Sequence, residues 1–329
     1  MDFYTLNQDE QLRRLERTAQ AALSEFKLSN AVCTLLTYTN NAVYRVVDGD
    51  EEYILRVHRP DHKPLDLIRS ELEWLMFLHH NMKMNVPQPK LVTYSGVLEG
   101  VENSVYCTLL TWVAGQPLQP ETITLEQVKT TGTYIAKLHD SAAGFAPTSA
   151  FKRPRLDGDG LFSEKSHYHP GDLEQFFTAE QQAVMANVIA KIRAVMETIG
   201  TSSETFGMIH ADLISKNILF DKNEVGVIDF EECGYGYYLY DLTPMLWENR
   251  KSPRYAQIKA ALWAGYTAIS PQHLPYEQYL EAFVAARHVA SCLWIAGNAD
   301  HPAIRGHVPE ILSERVEEMR QFLQTGSIA

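Results

Sequence analysis

The segments MIHADLISKNILF (Met208 to Phe220) and VGVIDFEE (Val225 to Glu232) decide how this chain is to be read. The first sets His210, Asp212 and Asn217 in the pattern H-x-D-x4-N. The second ends an apolar run, Val225, Val227 and Ile228, on Asp229, and eleven residues separate that Asp from Asn217. A short β-branched run of this kind reads as a strand, so Asp229 stands at a strand end. An amide oxygen and a carboxylate are the hard donors that Mg2+ takes, because this ion keeps several waters and needs few protein ligands. Asp212 is then the carboxylate left to orient a hydroxyl and accept its proton.

The two segments match, in order, the catalytic loop H-R-D-x4-N and the D-F-G strand end of protein kinases. Ala211 replaces the Arg and Glu231 the glycine. Phosphoryl transfer asks little covalent chemistry of a protein; it needs positioning and neutralisation of phosphate charge. Either motif alone can arise by chance in a turn, and their succession is what carries the reading.

Length and composition bound the alternatives. At 329 residues the prior is about two domains, and a hydrophobic content of 45% is ample for large cores. A formal charge of −12 argues against nucleic acid as a partner. No uncharged apolar run approaches the roughly 20 residues of a membrane span, and the start, MDFYTLNQDEQLRRLERTAQ, is too charged for a secretory signal. Cys33, Cys107, Cys233 and Cys292 lie far apart. Reduced thiols in the cytoplasm are the expectation.

Leu12, Leu15, Ala19, Ala22, Leu23 and Phe26 recur at helical spacing and predict an N-terminal helix. From Val32 to Val57 β-branched and aromatic runs, broken at Asn40-Asn41 and at Asp48-Gly49-Asp50, predict a two-strand hairpin. Period-two alternation sets Ile54, Arg56 and His58 on one strand face. A helix follows Pro64, with Leu67, Ile68, Leu72, Leu75, Met76 and Leu78 as its apolar stripe and Glu71 within it. KLVTYSG and SVYCTLLTWV read as strands, and helical patterning dominates beyond Ala114-Gly115-Gln116-Pro117. This gives an α+β chain with a β-rich N-terminal lobe, 1–113, and a larger helical lobe, 114–329.

The order of these features resembles the aminoglycoside phosphotransferase and choline kinase family. It consists of LRV in a strand, a helix Glu, LLTWVAGQPL, H-x-D-x4-N, IDF and LYDL. The YTNNAVY hairpin and ARHVASCLWIAGNADHP look closest to the branch with homoserine kinase and RdoA-type Ser/Thr kinases. The resemblance implies a protein-kinase-like two-lobe fold with ATP and Mg2+ as cofactors. It makes Asp212 the catalytic base and Asn217 and Asp229 the metal ligands. Arg56 becomes the phosphate-contacting cation, and Glu71 its partner. Leu110 to Val113 become the hinge, with the backbone of Thr111 and Val113 on the adenine and Ile54 over one of its faces. Asp241 in LYDL is implied to bond the catalytic-loop backbone.

Each role has a plainer rival. Arg56 is otherwise a surface strand cation, and Glu73 competes with Glu71. Glu231 and Glu232 read as a solvated pair, with Glu231 alternatively the holder of a metal-bound water. Arg287 suits a substrate carboxylate or, equally, a buried helix–helix ion pair. His210 and His139 read as architectural. The turn LTYTNNAVY has no glycine, and Asn40 and Asn41 are the residues able to take positive φ there. Ile214 stands where relatives carry a basic residue, and Lys216 is the nearby substitute. The expected activity is phosphoryl transfer to a hydroxyl of a small, amine-bearing molecule, an ammonium being suited to acidic and aromatic surroundings. A Ser/Thr protein kinase and a catalytically weak nucleotide-binding protein are the alternatives. The loop from Phe151 to Asp172 is either a lid or an insertion.

Overall fold

The computed structural model describes residues 3–38, 41–60, 63–90, 93–101, 104–166, 168–299, 301 and 304–329. They fall into two units, Met1–Ala114 with Ala146–Lys152, and Gly115–Phe145 with Arg153–Ala329. Asn40, proposed above to relax the turn, lies outside the described residues, as does part of KLVTYSG.

The first unit opens with helix α1 (Gln8–Glu25), whose N-terminus is closed by the Asn7 side chain accepting from the Glu10 N–H at 3.0 Å. The strands β1 (Val32–Tyr38), β2 (Ala42–Asp48) and β3 (Glu51–Val57) form a meander. After helix α2 (Leu65–His80) come β4 (Tyr94–Gly96) and β5 (Val105–Thr111). All pair antiparallel, in the order β1-β2-β3-β5-β4. Leu15, Ala19, Ala22 and Leu23 of α1 pack with Tyr44, Val46, Leu55, Val57, Cys107 and Leu109 to make the core of one sheet face. Arg56 and His58, alternate residues of the same chain segment, turn to the other face.

The predicted two-strand hairpin is thus three strands, because both polar breaks turn the chain. The stripe on α2 also needs correction. Its buried line is Ile68, Glu71, Leu72, Trp74, Leu75 and Leu78, whereas Met76 falls off that arc and is 39% exposed.

In the second unit β6 (Gln116–Pro117) starts within what composition suggested was a linker. It pairs with β9 (Ile218–Asp221), which pairs with β10 (Glu224–Val227). Gly115 has φ 131, and a Cβ there would sit 3.0 Å from the Phe220 backbone, so only glycine lets the chain enter this sheet. Helix α3 (Leu125–Ala142) begins with a Thr124/Gln127 capping box. β7 (Arg155–Leu156), α4 (Gly158–Phe162) and α5 (Ala179–Ile199) follow, then β8 (Phe206–Ile209) and β11 (Gly234–Tyr237). β11 lies between β7 and β8. The helices α6 (Tyr238–Glu248), α7 (Tyr255–Ile269), α8 (Leu280–Gly297) and α9 (Val308–Thr325) complete the unit. α3 and α7 touch along their length, and Gly265 permits it: a Cβ there would fall 1.9 Å from the Lys129 carbonyl oxygen.

Residues 146–152 belong to the first unit, where the Thr148 N–H and hydroxyl donate to Glu73 at 2.6 and 2.8 Å and the Lys152 N–H donates to the Ser70 hydroxyl at 2.8 Å. The remainder of the Phe151 to Asp172 loop carries the short elements β7 and α4. Leu156, Leu161, Phe162 and Tyr168 are buried in the second unit. No helix among the described residues is long and apolar enough to cross a membrane.

Candidate active site

In the first unit β3 and α2 bring Arg56 and Glu71 to 2.5 Å, their side chains 7% and 2% exposed. Glu73, the rival, points to residues 146–152 instead. Two positions along a helix is about 200° of turn, so both could not face β3. Ile54 is half-buried opposite Leu110 of β5.

The end of β5 narrows the expected adenine contacts. The Thr111 N–H is donated to the Gln88 carbonyl at 2.9 Å and its hydroxyl accepts from the Gln88 N–H at 2.8 Å. Of its backbone groups only the carbonyl can serve a ligand. The Trp112 N–H closes onto the Glu52 carbonyl at 3.0 Å. Val113 follows with an N–H that has no hydrogen-bond partner among the described residues.

In the second unit the loop after β8 is held by Asp241, a fully buried residue in the first turn of α6. Its Oδ2 accepts from the His210 N–H at 2.9 Å and its Oδ1 from the Ala211 N–H at 2.6 Å. His139 donates through Nε2 to Asp241 at 3.1 Å and stacks on Tyr238 at 4.5 Å. Burial pushes the Asp241 carboxyl up, and the hydrogen bond and charge of His139, with His210 beside it, outweigh that and hold its pKa below the ordinary value. The His210 ring donates to the Ile228 carbonyl at 3.0 Å and accepts from the Asp212 N–H at 3.2 Å. Both histidines are architectural, as their positions suggested.

Clamped this way, Ala211 adopts φ 71, a conformation costly for a residue with a Cβ, and the chain turns to present Asp212. Asn217 donates from Nδ2 to the Asp212 carbonyl at 2.8 Å and to its Oδ2 at 3.2 Å. Arg287 of α8 donates to the other carboxylate oxygen at 2.5 Å and to the Ala211 carbonyl at 3.3 Å.

The donor chemistry fits a hard divalent ion. With Nδ2 committed to Asp212, the Asn217 amide has Oδ1 left as its donor atom, and the Asn217 carbonyl accepts from the Ile228 N–H at 3.0 Å, next to Asp229. Asp229 takes φ 67 at the head of the turn Phe230–Glu232, so the backbone leaves the strand direction there. That turn, with Glu231, is fixed by Arg153, which donates to the Glu231 carbonyl at 2.6 Å and the Cys233 carbonyl at 2.5 Å. Lys216, between Ser215 and Asn217, is exposed.

Arg287 does not make the helix–helix ion pair that was one of its two readings: its partner is the loop carboxylate of Asp212. Burial would lower the guanidinium pKa, but Asp212 and the hydroxyls of Tyr240 and Tyr168 around it raise it further above its ordinary value. Tyr168 donates to Glu232 at 3.1 Å. Tyr168, Trp247, Arg153 and Arg315 escaped the sequence reading. Each reaches the site through tertiary packing, and none has a local spacing that marks it.

The model of the phosphotransferase enzyme family matches residues 37–273. Homoserine kinase of Neisseria meningitidis serogroup B is 25% identical over 308 residues, 90% of each chain. A solved microcompartment-associated aminopropanol kinase superposes with TM-score 0.82 at 24% identity, covering 95% of this chain and 99% of the other. A solved amicoumacin kinase in complex with AMP-PNP, Ca2+ and Ami superposes with TM-score 0.75 at 17% identity, covering 95% and 97%.

Proposed function

Since the chain belongs to the phosphotransferase enzyme family, with its protein-kinase-like fold and hydroxyl acceptors, we propose that it moves the γ-phosphoryl group of ATP, bound with Mg2+, to a small amine-bearing metabolite. An amino alcohol, a homoserine-like amino acid and an aminoglycoside-like sugar are the candidate acceptors. The observation that carries this reading is the double clamp of Asp241 on the His210 and Ala211 N–H groups. It fixes Asp212 at the cost of a strained backbone, an expense met where a side chain must be aimed.

In the reaction the acceptor oxygen bonds to the γ-phosphorus, Asp212 takes the hydroxyl proton, the bond to the β,γ-bridging oxygen breaks, and ADP leaves. Asn217 and Asp229 hold the divalent ion, which supplies charge neutralisation on the phosphates. Arg56, aligned by Glu71, contacts phosphate, and Lys216 adds positive charge from the loop. The Val113 N–H and Thr111 carbonyl face the adenine, with Leu110 beneath and Ile54 on its face. Glu231 and Glu232 attract the ammonium of the acceptor, and Arg287 lies on the acceptor side of Asp212. On this reading the first unit binds nucleotide and the second carries acceptor and chemistry. Relatives named for aminopropanol, homoserine and amicoumacin support a small acceptor.

The test is ADP release by purified protein with Mg·ATP against amino alcohols, hydroxy amino acids, choline, amino sugars and casein. The expected result is turnover with a small amine. Phosphorylation of casein above every small molecule replaces this reading with a Ser/Thr protein kinase.

A further inference from the structure

Arg287 belongs to a larger basic group in the second unit. The indole of Trp247 is flanked by three guanidinium groups, those of Arg315, Arg250 and Arg287, at 4.6, 4.7 and 5.9 Å from its ring centre. The indole is pinned by its own N–H, donated to His288 Nδ1 at 3.1 Å, while His288 donates through Nε2 to the Arg315 carbonyl at 2.9 Å. Burial keeps that imidazole neutral, its pKa pushed down to about 4, so it adds no charge.

Direct ion pairs account for two of the three guanidinium groups. Arg250 is matched by Glu318 at 2.8 and 3.3 Å, and Arg287 by Asp212. Arg315 makes a side-chain hydrogen bond only to the neutral Ser291 hydroxyl, at 2.7 Å, among the described residues. Ser291 is one turn beyond Arg287 on α8, so the two guanidinium groups share a helix face. The donors do not balance. Among the described residues Arg287 Nε is buried without a well-aligned acceptor, the Tyr240 hydroxyl being the polar group beside the same guanidinium. Buried donors without acceptors are costly. A carboxylate would serve the donor and the charge together, whereas an ammonium would serve neither. Arg287 and Asp212 are each open to solvent, by 15% and 19%.

We propose that Arg287 and Arg315, set around Trp247, receive a carboxylate of the acceptor, which is therefore a hydroxy amino acid rather than an amino alcohol. This rests on the phosphotransferase reading with Asp212 as base. Without acceptor, Arg287 is neutralised by Asp212; the incoming carboxylate takes over that role, and an Asp212 oxygen is freed for the hydroxyl. The ammonium of the same molecule goes to Glu231 and Glu232. Arg287 and Arg315 thus determine which amine-bearing molecule is phosphorylated on its hydroxyl.

The experiment compares acceptors that differ only in the carboxylate: L-homoserine with 3-amino-1-propanol, L-serine with ethanolamine, and L-threonine with 1-amino-2-propanol. ADP release gives kcat/KM, and calorimetry with AMP-PNP and Mg2+ gives affinity. The expected result is a preference of roughly 10- to 100-fold for at least one amino acid over its partner, the worth of hydrogen bonds to a charged group. Arg315→Gln should cut that ratio by a similar factor through KM, and Arg315→Lys should restore part of it. Preference for the amino alcohols overturns the carboxylate site and leaves the kinase reading standing. A ratio unmoved by Arg315→Gln, or Arg287→Gln lowering kcat equally for both members of a pair, overturns it too, since Arg287 would then only position Asp212. Absence of ADP release and of binding with every acceptor overturns both readings.

Discussion

Arg56 and Glu71, fifteen residues apart in sequence, meet at 2.5 Å in an almost sealed environment. A buried ion pair is often no more stabilising than apolar residues of the same size, yet losing one partner strands a charge. Glu71→Gln should therefore destabilise the fold in denaturant unfolding, by at most about 3 to 5 kcal/mol. The double variant Arg56→Met/Glu71→Leu should recover most of that without recovering ATP affinity. Recovery of both would reduce the pair to a structural element.

Asp212→Asn keeps the shape of the side chain and removes its basicity. Turnover should fall by roughly 10²- to 10⁴-fold, while AMP-PNP still binds in calorimetry. More than about a tenth of the parent rate in single-turnover assays would assign the proton to another group.

Asp229→Ala removes the charged member of the proposed metal pair. Affinity for Mg·ATP should drop more than affinity for ATP in EDTA, because hard cations depend on carboxylate charge. Paired titrations decide this, and equal losses would make Asp229 a backbone device for its φ 67 turn.

His288 gives the pH dependence a sign. In an unfolded chain its imidazole titrates near about 6.5. In the fold burial, helped by the charges of Arg315 and Arg250, holds it at about 4 against the hydrogen bond to the Arg315 carbonyl and the charge of Glu318. Between those values the unfolded chain binds a proton that the folded one does not. Stability from this group is thus complete above about 6.5 and declines on acidification towards 4, by about 3 kcal/mol in all. Urea unfolding at several pH values should show a shallower acid slope for His288→Gln. Identical slopes would mean that the imidazole opens to solvent.

The arrangement of the His210 to Asn217 loop was legible because H-x-D-x4-N and IDF are local: five residues fix Asp212 relative to Asn217, and a strand end fixes Asp229. Glu71 was legible for a similar reason, since helical period sets it apart from Glu73. What patterning could not show was occupancy. That the Thr111 N–H is already taken by Gln88 follows from where residues 88–90 return beside β5, a tertiary fact. Arg315 lies 103 residues from Asp212, by subtraction of their numbers, and joins its neighbourhood only because α8 and α9 pack together. Met76 misled because an apolar side chain at a helical interval does not say how wide the buried arc is.

Residues 146–152 have a bearing on biosynthesis. A chain leaving the ribosome emerges N-terminus first and its domains tend to fold in that order. Here the first unit lacks the partner of Glu73 until Thr148 has appeared, by which time all of α3 has been made. The earlier unit is thus the one that must wait, and a translational pause placed between codons 114 and 146 would leave it open at the edge carrying Ser70 and Glu73.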